Sequence, residues 1–268
     1  MDVVKCGVTL ITNVYLFIDW RESLQTKIDW QLARVCAELS EQSYENESAF
    51  KKFLFERVLM HTELKHFDVD GAQAYGIVMP QFIMIVFRGT QPTEFSDIVA
   101  DIKAWPKESD TVGMVHAGFK GELDKIYPQI TRWLRSHRDQ KLVITGHSLG
   151  AAMATLFAAR QYQQGLDVKL YTYGSPRVGN SKFAKQFENI PAYRFVNTND
   201  VVCTVPFLYT HVGELHYMSY TGKITVGTNW RQRLNDKIRG RIRAWQKRQL
   251  FSGIYDHMGS RYIKKLKR

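Results

Sequence analysis

The chain has 268 residues, 44% of them hydrophobic and 24% charged, with 37 Lys/Arg against 26 Asp/Glu. That length and balance allow a buried core without disulfides, and they exclude a collagen-like, low-complexity or disordered chain. Three widely spaced cysteines, Cys6, Cys36 and Cys203, form no Cys-X-X-Cys pair, which argues against a zinc site or a disulfide framework.

The net charge of +11 is local. Residues 231–268 hold 13 Lys/Arg and two acids, Asp236 and Asp256, while the other 230 residues carry 24 of each sign. Such a block reads as a contact for anionic membrane, a contact for nucleic acid, or a solvated helix face. The apolar run 6–18 is too short to span a bilayer and is broken by Thr9, Thr12 and Asn13. It also lacks the basic start and small-residue cleavage site of a signal peptide. The expectation is a cytoplasmic or non-classically secreted protein.

In chain order, residues 1–28 match no pattern and stand apart as an N-terminal extension, ahead of a domain expected over 29–268. Leu32, Val35, Cys36 and Leu39 have helical spacing over 29–40, and Phe50, Phe53, Leu54, Val58 and Leu59 over 48–60. Two β-type runs, 64–69 and 73–79, flank the turn pair Asp70-Gly71. The continuously apolar run 82–87 reads as a strand buried on both faces and ends in Arg88-Gly89-Thr90. Phe95, Ile98, Val99 and Ile102 lie at i, i+3, i+4 and i+7, which predicts a short amphipathic helix. A long helix is expected from 116 to 137, a strand over 142–145, a helix over 148–164 and a strand over 168–172. Then come a helix over 181–188, a strand over 193–196 and β structure over 209–220, with helices over 230–250 and 255–267 to finish. Strands alternate with helices without a linker or repeat, so one α/β domain is predicted, with a mostly parallel central sheet flanked by helices.

The chemistry centres on Gly146-His147-Ser148-Leu149-Gly150, which joins an apolar β-type run to a small-residue helix start. This is the sequence form of a strand–turn–helix nucleophile elbow, in which a serine stands clear of the sheet. Its two glycines suit the close crossing of strand and helix. A tight turn in which Ser148 only caps the helix is the bland alternative. A serine hydroxyl needs a base, an acid to orient the base, and donors for the oxyanion. Asp200 follows the strand 193–196 in a polar turn, which places it at the same sheet edge as Ser148. The base comes from His211, His216 or His257. His257 is favoured because it sits at a turn before the last helix, and His211 is the alternative. One oxyanion donor is expected to be the backbone N–H of Leu149, and the second to come from Thr90 in the loop after the strand 82–87.

Seven motifs in one order then give a family resemblance: Val86-Phe87-Arg88-Gly89-Thr90, Asp97–Ile102, Val115-His116-Ala117-Gly118-Phe119, Ile144–Ala152, Thr172–Asn180, Val196–Val202, and Asp256-His257 with Tyr262 beyond. From about residue 30 to the end the chain resembles the class 3 lipases, the fungal-type triacylglycerol lipases with an α/β-hydrolase fold. The resemblance implies a triad of Ser148, Asp200 and His257, an oxyanion hole at Thr90 and Leu149, and no cofactor. It implies hydrolysis of triacylglycerols or other lipophilic esters, with phospholipase A1 or another esterase as the alternative and a non-catalytic binding protein as the remote one. It also makes the helix at 95–102 a lid, although Ile98 stands where the family often has Trp.

The basic block is not a hallmark of that family. Arg231, Arg233, Lys237, Arg239, Arg241, Arg243, Lys247 and Arg248 fall at odd and even spacings, and no clean apolar stripe is expected among them. With no nucleic-acid motif in the chain, the favoured partner of 231–268 is an anionic membrane surface.

Overall fold

The structure is a computed structural model that describes residues 28–57, 62–90, 105–137, 140–246 and 252–267. The expected lid helix at 95–102, like the N-terminal extension up to residue 27, lies outside them.

The chain opens with α1 (Trp30–Gln42), capped by Asp29, whose carboxylate accepts the Leu32 N–H at 2.9 Å. Next come α2 (Glu47–Arg57) and the hairpin of β1 (Glu63–Val69) and β2 (Ala72–Val78). Its turn residues Asp70 and Gly71 both have positive φ, 48° and 82°, as a two-residue primed turn requires. β3 (Phe82–Phe87) is buried at all six positions. After a two-stranded ribbon of β4 (Pro106–Glu108) and β5 (Met114–His116), the chain alternates through α3 (Ala117–Leu134), β6 (Lys141–His147), α4 (Leu149–Gln163), β7 (Val168–Tyr173), α5 (Ser181–Lys185), β8 (Ala192–Asn197) and β9 (Glu214–Met218). It closes with β10 (Ile224–Val226), α6 (Trp230–Gln246), α7 (Ser252–His257) and α8 (Gly259–Leu266).

The main sheet runs β1-β2-β3-β6-β7-β8-β9-β10. It is parallel from β3 to β9 and antiparallel at both ends. Alternate side chains feed two cores. Ile83, Ile85, Phe87, Leu142, Ile144 and Leu170 pack with Leu123, Ile126, Ile130 and Phe157 of α3 and α4 on one face. Met84, Val86, Val143, Tyr171, Tyr173 and Phe195 pack with Leu32, Cys36, Phe50 and Tyr262 of α1, α2 and α8 on the other. Burial on both faces is why the parallel strands read as unbroken apolar runs.

Three elements differ from expectation. Of 209–220 only Glu214–Met218 is strand, because Gly213 at φ 71° turns the chain there and Thr210 is tied to Gly179 instead. The helix expected over 255–267 breaks at Met258 (φ −56°, ψ 132°). And α6 does carry an apolar stripe: Leu234, Ile238, Ile242 and Trp245 share one exposed face. The interleaved arginines conceal it in the linear sequence.

Candidate active site

β6 ends at His147, and the chain turns at once into α4 through Ser148, held at φ 58° and ψ −125°. A serine occupies that region only at a cost of about 1–3 kcal/mol, which the surrounding structure must offset. Here the Ser148 N–H donates to the Tyr173 carbonyl of β7 at 3.0 Å, and the Ser148 carbonyl accepts from Ala151 and Ala152 at 3.0 and 3.2 Å. The crossing is so close that a Cβ on Gly146 would collide with the Gly150 backbone, and one on Gly150 with the Phe87 carbonyl. The Ser148 side chain makes no capping bond to α4, so the bland alternative fails on geometry.

Asp200 lies just beyond β8 and is buried. Its Oδ1 accepts the Val202 N–H at 2.9 Å, and its Oδ2 accepts from His257 Nδ1 at 2.8 Å and from the Tyr262 hydroxyl at 2.5 Å. Burial alone would raise its pKa, but the His257 charge and the His257 and Tyr262 hydrogen bonds outweigh that and hold it below the usual aspartate value. Gly174, at φ 59°, makes room for the pair: a Cβ there would lie 2.8 Å from His257 Cε1 and 3.0 Å from Asp200 Oδ2.

The break after α7 places His257 beside the elbow. The His257 carbonyl accepts from His147 Nε2 at 2.7 Å, and the two rings lie 4.5 Å apart. His147 must therefore carry its proton on Nε2, which leaves Nδ1 to accept the Tyr44 hydroxyl at 2.9 Å. Burial, with the neighbouring His257 second, pushes the His147 pKa down to about 3, so this ring stays neutral.

The other histidines are engaged elsewhere. His211 Nε2 lies 2.8 Å from the Cys203 carbonyl, and His216 Nε2 lies 2.7 Å from Glu214, with its ring edge-on to Trp30. Thr90 and Leu149 line one cavity of about 460 Å³, together with Arg88, Gly89 and Met153. A Cβ on Gly89 would lie 2.7 Å from the His147 carbonyl, so the Arg88–Thr90 loop sits directly on the elbow. Among the described residues no group of His, Cys, Asp and Glu could hold a metal ion.

Sequence reasoning did not find the tethers: Tyr44 and His147 on the His257 side, and Lys265 on the Asp200 side. Lys265 Nζ donates to the Ser219 carbonyl at 2.6 Å and to Thr198 Oγ1 at 3.1 Å, pinning the loop that carries Asp200. An acid–imidazole pair beside a serine on an elbow is the arrangement that activates a hydroxyl nucleophile.

Residues 84–210 match the family Lipase (class 3). A lipase of Rhizopus niveus is 33% identical over 164 residues, covering 55% of this chain and 41% of that one. The secreted mono- and diacylglycerol lipase A of Penicillium cyclopium is 39% identical over 114 residues, covering 40% of this chain and 36% of that one. Among solved structures, a triacylglycerol lipase whose catalytic centre is formed by a serine protease triad superposes with a TM-score of 0.62 at 27% identity, covering 73% of this chain and 82% of that one. The match takes in less than half the length of these curated relatives. The expectation of a cytoplasmic or non-classically secreted protein is overturned by this kinship, since the Penicillium enzyme is a secreted lipase. That expectation rested on the lack of a signal-peptide pattern in the run 6–18, and such a pattern plays no part in the fold that the relatives share. The sheet order, the elbow and these matches agree on an α/β-hydrolase fold, and it is the segment 84–210, from within β3 to past the Asp200 turn, that matches the class 3 lipases.

Proposed function

We propose that the chain is a serine hydrolase of lipid esters, with Ser148 as nucleophile, His257 as general base, Asp200 as its orienting acid, and Thr90 and Leu149 as the oxyanion hole. The observation that carries this reading is the 2.8 Å bond between Asp200 and His257, with His257 tied through His147 to the elbow that holds Ser148 at positive φ. Ser148 Oγ attacks the ester carbonyl while His257 Nε2 takes its proton. Asp200 steadies the imidazolium through Nδ1, and the oxyanion is held by the N–H of Leu149 and by Thr90. His257 then gives the proton to the departing alcohol, leaving an acyl-enzyme. Water repeats the sequence, releasing the carboxylic acid and restoring Ser148.

The substrate class follows the relatives, a triacylglycerol lipase and a mono- and diacylglycerol lipase. A lipophilic ester is therefore the expected substrate, with the basic 231–268 region meeting an anionic membrane surface rather than nucleic acid. Ser148→Ala should lower p-nitrophenyl ester hydrolysis by about 10⁴-fold or more while leaving the melting temperature within a few degrees. Activity near the parent level would remove Ser148 from the mechanism. A panel of triacylglycerols, diacylglycerols, phospholipids and short p-nitrophenyl esters identifies the ester, and preference for the phospholipid would favour a phospholipase A1.

A further inference from the structure

α6 packs on the protein the opposite way round from an ordinary surface helix. The face turned inward is polar. Asp236 accepts the Tyr217 hydroxyl at 2.8 Å and the Tyr220 N–H at 3.1 Å. Gly240 is buried so closely against the Asp200 loop that a Cβ would lie 2.9 Å from Asn199 Nδ2 and 3.2 Å from Thr198. Arg233 and Lys237 are half-buried beside them.

The face turned outward is apolar. Leu234, Ile238, Ile242 and Trp245 are 49%, 48%, 52% and 74% exposed. Their spacing of i, i+4, i+8 and i+11 stacks them on one side over three turns. Arg231, Arg239 and Arg241 are exposed along this stripe. Asp236 is the sole acid between residues 230 and 246, and its carboxylate is bonded inward, so the helix brings no acid of its own to the outer face.

An apolar stripe bordered by arginines is the composition of a helix that lies in a membrane interface, with its apolar side in the acyl boundary and its cations among the headgroups. Nucleic acid would use the arginines and leave the stripe uncovered. A second copy of the same face would bring arginines against arginines. We propose that α6 is an interfacial helix that docks the protein on an anionic phospholipid surface: Leu234, Ile238, Ile242 and Trp245 enter the lipid, and Arg231, Arg239 and Arg241 bind its phosphates. This deepens the hydrolase reading and rests on it for its purpose, because the same helix packs against the loop that carries Asp200.

The test separates docking from catalysis. The full chain carrying Ser148→Ala is sedimented with phosphatidylcholine vesicles, with and without phosphatidylserine, at low and high salt. It should bind the phosphatidylserine vesicles, and salt should weaken that binding. Adding Leu234→Ser, Ile238→Ser and Ile242→Ser together should reduce binding by about tenfold or more, as should Arg231→Gln, Arg239→Gln and Arg241→Gln together. With Ser148 restored, both triple variants should hydrolyse a water-soluble short-chain ester at the parent rate, which also shows that they fold. Equal binding to neutral and anionic vesicles overturns the proposal, and so does undiminished binding by the serine triple variant. A parent that dimerises through the stripe, with the triple variant monomeric and vesicle binding unchanged, overturns it in favour of self-association. If the parent binds vesicles but cleaves no ester, the hydrolase reading fails and the docking stands.

Discussion

At the scale of single residues, the site is a short hydrogen-bonded chain in which each member restricts the next. Tyr262 donates to Asp200 and accepts the Asn197 N–H at 3.1 Å, so one hydroxyl both satisfies the buried carboxylate and holds the strand end that precedes it. Removing a hydrogen bond to a charged group costs about 1.5–3 kcal/mol, and about 1.4 kcal/mol corresponds to tenfold in rate. Tyr262→Phe should therefore lower kcat between about tenfold and a hundredfold with KM little changed, because the hydroxyl acts on Asp200 and not on the ester. Steady-state kinetics on a short p-nitrophenyl ester reads this directly, and a parent-like kcat would reduce Tyr262 to packing. The placement of Ser148 and Asp200 just beyond strand ends is legible in the sequence because the local pattern marks those ends, whereas the helix end that carries His257 has no such mark. Tyr44 is not legible, because its partner His147 lies 103 positions away and nothing near Tyr44 hints at it.

At the scale of elements, the β6–α4 elbow is the part with least slack. A Cβ on Gly146 would collide with Gly150 and lie 2.8 Å from the Ala151 nitrogen, and neither backbone atom can move without unseating Ser148. Gly146→Ala should cost about 3 kcal/mol of stability and most of the activity. The same substitution at Gly121 should have the opposite sign. A Cβ there, in the second turn of α3, meets nothing within 4 Å, so Ala adds helix propensity worth about 1 kcal/mol. Urea denaturation of the two variants tests the contrast, and a stable Gly146→Ala would mean that the strand and helix can part. The elbow glycines were readable because the motif is local. The break at Met258 was not. No proline or capping side chain marks it, and the His257 carbonyl that stands at the break is bonded to His147, which lies 110 positions away. The stripe on α6 failed for a related reason: mixed charges dominate the linear reading, and only docking through Asp236 and Gly240 decides which face is left outside.

At the scale of the whole molecule, burying neutral histidines makes the fold sensitive to acid. His147 and His211 have pKa values well below that of a free histidine and His216 is lowered too, in each case chiefly through burial. The unfolded chain takes up these protons near pH 6.5, whereas folded His147 does so only at about 3. Between those values the unfolded state binds more protons, so stability present at neutral pH is lost as the pH falls from 6.5 toward 3. Asp200 adds to the loss at the acid end: its folded value is depressed, so its contribution disappears as the pH drops below about 4. Among the described residues, the groups facing His147 include Tyr44, His257, Asp200 and the Tyr262 ring, and the acid among these, Asp200, is already committed to His257. Denaturation midpoints measured from about pH 7 down to about pH 4 should fall by an amount worth a few kcal/mol. His147→Gln, which keeps a donor for the His257 carbonyl but does not titrate, should be less stable than the parent at neutral pH and should lose less on acidification. A parent-like slope in that variant would place the acid sensitivity in the remaining histidines. The same burial that keeps the His147 ring neutral beside the proposed base would then be separable from the cost it imposes on the fold.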